Sequence, residues 1–230
     1  MWAPQFDGLA QRFRTIAFDR RGFGLSTGKP SLEQDPPDLW RVADSFDVDR
    51  CALVGMSQGA RVALCSAIAR PERVTQLIVD GPPAEGLTHP ADTPSELPME
   101  RYRDIARTRG LGAVRRALSR HQLLRLQTRR RGARALLRRI INRYPALDLL
   151  SGRSEAPWLP GRISGCDMPV LVINGERDSE LRREVGVLLA RRLPRASRVV
   201  IPGAGHLPNL DRPELYNRVL GGFLAARAGS

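Results

Sequence analysis

The sequence predicts an α/β fold, a mostly parallel sheet with flanking helices and one helical insertion, and three observations carry that prediction. Short apolar runs that read as buried strands recur along the chain. Segments with apolar residues at helical spacing, ended by turn residues, separate them. The alternation lapses over a single stretch, from about residue 84 to residue 165. Regular exchange of strand and helix implies parallel strands joined by crossovers, with both faces of the sheet covered.

The elements follow in order. RTIAF (14–18) reads as a first strand, and DPPDLWRVADSF (35–46) as a helix that starts on aspartate and proline. CALVG (51–55) is a second strand, QGARVALCSAIARP (58–71) a helix, and TQLIVD (75–80) a third strand. In the insertion, Leu111, Val114, Ala117 and Leu118 form one helical stripe, and Leu136, Leu137, Ile140 and Ile141 form another. Proline-rich and glycine-rich segments at 81–98 and 144–161 have the composition of loops that leave and rejoin a core. PVLVIN (169–174) and SRVVIP (197–202) complete the strands, each followed by a helical pattern. The chain therefore divides into a first core part (1–83), a helical cap (84–165) and a second core part (166–230).

Composition narrows the function. The chain has 230 residues, enough for a substantial core, and no run of 18 apolar residues. MWAPQFDGLAQRFR lacks the charged-then-apolar order of a secretory signal, so a cytoplasmic location is expected. Cys51, Cys65 and Cys166 show no CxxC spacing, which argues against a zinc site or a disulfide framework; Cys51 and Cys65 read as small core residues. The formal charge of +13 is concentrated. Residues 101–143 hold 15 arginines and a single acid, Asp104, and the rest of the chain is nearly neutral.

The stretch that carries chemistry is Gly55-Met56-Ser57-Gln58-Gly59, a G-x-S-x-G placed between a predicted strand and a predicted helix. In that context the small neighbours allow a sharp turn that lifts the serine hydroxyl clear of the sheet. The N–H of Gln58, at the helix start, is placed to hold a developing oxyanion. A serine needs a base, and the chain offers three histidines, His89, His121 and His206. His206 follows the last strand on a glycine-containing loop and is the candidate; His121 lies in the arginine-rich insertion and His89 in a proline-flanked loop. Asp178, in the turn after PVLVIN, is the candidate acid that orients the imidazole, in the order Ser, Asp, His. Capping of the following helix is its plainer role. Asp80, which ends the strand after the elbow helix, is the alternative acid, and Glu176 a weaker one.

With these residues in order, the chain resembles the α/β-hydrolase superfamily. FDRRGFGLST resembles that family's D-x-R-G-x-G-x-S segment through Asp19, Arg21, Gly22, Gly24 and Ser26. The same glycines do not make a phosphate loop or a dinucleotide fingerprint. In the family a His-Gly loop that supplies a second oxyanion N–H precedes the segment resembling MWAPQFDGLAQRF, together with three strands. The third of these lies inside the sheet, between the fourth and the fifth. The chain as written starts after them, which predicts a gap in the sheet, poor solubility, and either an internal Met1 or an unusual closure.

The resemblance implies a serine hydrolase that cleaves an ester, a lactone or a related small acyl substrate through an acyl-enzyme, without a cofactor. A catalytically silent binding protein of the same fold, or a truncated gene product, is the alternative. It also places the insertion over the active site. There the arginines read first as the solvated face of amphipathic helices, and second as selection for an anionic substrate or an acidic docking surface. Sparse aromatic residues among them argue against specific nucleic-acid binding.

Overall fold

The computed structural model describes residues 1–84, 87, 96–151 and 163–226. His89 and large parts of the two predicted boundary loops lie outside the described residues. Four parallel strands, β1 (Cys51–Met56), β2 (Val74–Asp80), β3 (Val170–Gly175) and β4 (Ala196–Ile201), form a single sheet in the order β1-β2-β3-β4. Met56 pairs with Asp80 and Asp80 with Ile173, so the carboxyl ends of three strands lie side by side.

Alternation along the strands divides the core between the two faces. On one face Leu53, Leu77, Val79, Val170 and Val172 pack against α2 (Asp35–Ser45), α3 (Gln58–Ala69) and α7 (Glu180–Arg192). On the other, Ile78, Leu171, Ile173 and Ile201 meet α1 (Ala3–Leu9) and α9 (Pro213–Ala225), where Tyr216 and Leu220 are buried. Cys51 and Cys65 pack against the first cluster half-buried, and Cys166 is fully inside it.

The predicted strand at 14–18 does not form. This segment is irregular and largely exposed, with Phe18 37% accessible. A strand exists only when a neighbour takes up its N–H and C=O groups, and within the sheet β1 pairs with β2 alone. Local apolarity gave the right composition for a strand but could not supply that partner.

Between β2 and β3 the described residues contain no strand. They form α4 (Met99–Ser119), broken at Gly110 (φ 74°), then α5 (Arg131–Arg143) and the short α6 (Leu147–Leu150). Both predicted apolar stripes face inward: Val114 is buried beside Tyr102 and Leu149, and Leu137 and Ile141 pack on Leu207 and on Leu210 of the short α8 (Pro208–Asp211). Arg131, Arg134, Arg138, Arg139 and Arg143 are exposed along α5. Arg115 instead donates through Nε and Nη2 to the Tyr144 carbonyl, and Arg103 donates to that of Leu149, tying α4 to the turn before and within α6. Among the described residues no helix is long and apolar enough to cross a membrane.

Candidate active site

Ser57 stands between β1 and α3 with φ 53° and ψ −121°, a region that a residue bearing a side chain enters only where the surroundings impose it. Two contacts impose it here. The Ser57 N–H donates to the Asp80 carbonyl at 2.7 Å, anchoring the turn to the end of β2. Gly55 is packed so tightly that a Cβ there would lie 2.1 Å from the Gly59 carbonyl oxygen. Gln58 opens α3, where N–H groups have no partner within the helix and point at whatever occupies the turn.

His206 and Asp178 are brought together. His206 Nδ1 lies 3.1 and 3.0 Å from the two Asp178 carboxylate oxygens, and both residues are buried. With the carboxylate accepting at Nδ1, the ring carries its proton there, which leaves the lone pair on Nε2. Asp178 Oδ1 also accepts from the Ser179 N–H. The N-cap of α7 is Ser179, whose Oγ accepts from the Arg182 N–H, so Asp178 is not spent on capping. Close approach of main chain builds the histidine loop: a Cβ on Gly175 would sit 2.0 Å from the Gly205 carbonyl oxygen.

Gly81 relates the serine to this pair. It follows Asp80, which holds the Ser57 N–H, and a Cβ on Gly81 would fall 2.9 Å from His206 Cε1 and 3.2 Å from Asp178 Oδ2. The elbow and the His206–Asp178 pair thus meet around the carboxyl end of β2.

Asp80, the alternative acid, is fully buried beside Asp178 and the Tyr216 hydroxyl. Neither of its oxygens closes an ordinary hydrogen bond. Burial, reinforced by the neighbouring Asp178 charge, pushes its carboxyl well above the ordinary carboxylate range. Glu176 is exposed and accepts from the Gly203 N–H, steadying the same loop from outside. His121 caps a short 3₁₀ turn through Nδ1 and meets the Glu96 carbonyl through Nε2.

Three features escaped sequence reasoning. Asp211, buried, accepts from the N–H groups of Gln127 and Thr128 in the insertion and of Gly205 beside the histidine. Arg182, also buried, donates to the Gly81 carbonyl and pairs with Glu96. Arg20 donates to Gln58 Oε1 at 2.6 Å. Each depends on at least one partner 38 or more positions away, which no local pattern signals. The Asp19 to Ser26 motif itself is a loop staple: Asp19 accepts from the Leu25 N–H and the Ser26 hydroxyl, and Gly24 leaves room for its carboxylate.

The model of the alpha/beta hydrolase fold family matches residues 1–213. The chain belongs to that family. Relatives of this hydrolase-fold chain include the 2-hydroxymuconate semialdehyde hydrolase of Pseudomonas sp. strain CF600, 29% identical over 97% of this chain and 81% of that protein. The pimeloyl-[acyl-carrier protein] methyl ester esterase of Yersinia enterocolitica is 28% identical over 97% of this chain and 87% of the relative. Among solved structures, an esterase of Thermogutta terrifontis with malate bound superposes with a TM-score of 0.83 at 26% identity, covering 98% of this chain and 84% of that one.

Proposed function

We propose that this chain is a serine hydrolase of small acyl compounds, an ester or a lactone, working through an acyl-enzyme. Ser57 attacks the carbonyl carbon as His206 Nε2 takes its proton. The tetrahedral oxyanion is held by the Gln58 N–H, the leaving group departs with the proton from His206, and water releases the acid by the same steps in reverse order. Asp178 fixes the imidazole and stabilises its charged form. The insertion, residues 84–165, acts as a cap over the substrate.

The observation that carries this reading is the buried His206–Asp178 pair, centred on the strand end that also holds the Ser57 turn. The esterase and hydrolase relatives support the reaction class. Exposure to a fluorophosphonate tests it directly. A single phosphonyl adduct on Ser57 is expected in the wild-type chain, none in Ser57→Ala, and labelling slowed by about 10³-fold or more in His206→Ala. A folded protein that never labels at Ser57 overturns the enzyme reading in favour of a binding protein of the same fold.

A further inference from the structure

Two adjacent arginines of the same loop are used in opposite ways. Arg21 closes its fork on Asp38, donating through Nε at 2.9 Å and Nη2 at 2.8 Å, the two-point geometry that guanidinium and carboxylate prefer. Arg20 does not. Its Nη1 donates to a neutral amide oxygen, Gln58 Oε1, at 2.6 Å. Among the described residues no hydrogen bond uses its Nη2. Asp35 lies 3.3 Å from Nε, yet the two atoms are too poorly aligned to hydrogen-bond. The other carboxylate that faces the group, Asp148, accepts from the Tyr144 hydroxyl.

The guanidinium nevertheless occupies a costly place. Its side chain is 18% exposed, and it sits 4.8 Å over the Phe23 ring, which stacks on Tyr144 of the insertion. Burial weakens its hold on the proton, and burial likewise raises the Asp35 carboxyl despite the nearby arginine. An arginine stays charged under such conditions. A partly desolvated fork with donors to spare, held by the side chain next to Ser57, is a receptor for an anion brought in by a ligand.

We propose that Arg20 forms a carboxylate-binding subsite beside Ser57, and that the substrates are acyl compounds bearing a free carboxylate, such as half-esters of short dicarboxylic acids. The proposal rests on the hydrolase reading for its reaction, whereas anion binding at Arg20 does not require a reactive serine.

The experiment compares mono-p-nitrophenyl glutarate with p-nitrophenyl butyrate as substrates of the wild-type chain, Arg20→Met and Arg20→Lys. The acid-to-neutral ratio of kcat/KM is expected to favour glutarate in the wild type. It should fall by roughly 10- to 100-fold in Arg20→Met, the span for losing a hydrogen-bonded charge, and recover partly in Arg20→Lys, which keeps the charge but not the fork. Binding of glutarate itself, read as a saturable rise in Tm, should be lost in Arg20→Met. Should that variant not fold, Arg20→Lys carries both measurements. If fluorophosphonate never labels Ser57, the hydrolase reading has failed and glutarate binding alone decides. An acid-to-neutral ratio unchanged across the three proteins, or a glutarate shift that survives in Arg20→Met, overturns the subsite.

Discussion

Two aspartates compete for one role at the carboxyl end of the sheet, and their partners separate them. Asp178 meets an imidazole and a main-chain N–H. Asp80 meets Tyr216 and the charge of Asp178 in a site closed to water, which favours the neutral acid. Linkage gives the sign. In the unfolded chain Asp80 ionises near 3.8, while in the folded chain it keeps its proton to higher pH. Above that ordinary value the unfolded state therefore gives up a proton that the folded state retains, and stability falls as pH rises until the buried group itself ionises. Asp80→Asn removes this dependence. Its Tm should gain on that of the wild type as pH is raised from 5 to 8, by about 2–4 °C per kcal/mol. Asp178→Asn should instead cost about 10⁴-fold in turnover, because the imidazole loses the acceptor that fixes its tautomer. Parallel Tm curves for Asp80→Asn and wild type across this range would show that Asp80 is ionised in the fold.

At the scale of elements, the two glycines of the elbow serve different ends. Gly55 is the last-but-one residue of β1, and a methyl group there would overlap the carbonyl of Gly59, so Gly55→Ala forces α3 away from the strand. A loss of about 1–3 kcal/mol, and of Ser57 labelling with it, is expected. A Cβ on Gly59 meets nothing within 4 Å, and this residue lies in the first turn of α3. Gly59→Ala should hold or raise stability, by up to about 1 kcal/mol, through helix propensity. Urea melts of the two variants, run side by side, check both signs. The same elements mark what was legible in the sequence. Each of β1 to β4, with α2, α3, α7 and α9, follows from a local pattern of apolar spacing and end signals. Ser57, Asp178 and His206 were legible because each sits on the turn that follows a strand, a place fixed by short-range order. RTIAF has the composition of a strand and forms none, because a strand is a relation between segments. Arg20 and Asp211 were invisible for the same reason, since their partners are assembled only by the tertiary fold.

At the scale of the molecule, the insertion and the histidine loop share one carboxylate. Asp211 accepts from Gln127 and Thr128 on the insertion through Oδ1 and from Gly205 through Oδ2, with distances between 2.7 and 3.0 Å. Around it, Leu137 and Ile141 of α5 pack on Leu207 and Leu210, so α5 rests on the residues next to His206. Loosening the insertion should therefore loosen His206. In Asp211→Ala three N–H groups lose their acceptor, at least one of them deep in the protein, which costs about 2–5 kcal/mol, or roughly 4–20 °C in Tm. The arginine-rich stretch 125–131 should become a trypsin site before the sheet melts, and fluorophosphonate labelling of Ser57 should slow in step with that cleavage. Asp211→Asn keeps an oxygen for one side of the bridge and turns an amide donor toward the other, so it should fall between the two proteins in both measurements. Cleavage of Asp211→Ala at 125–131 with labelling at the wild-type rate would mean that the insertion and the histidine loop move independently, and that the shared carboxylate holds shape without serving the reaction.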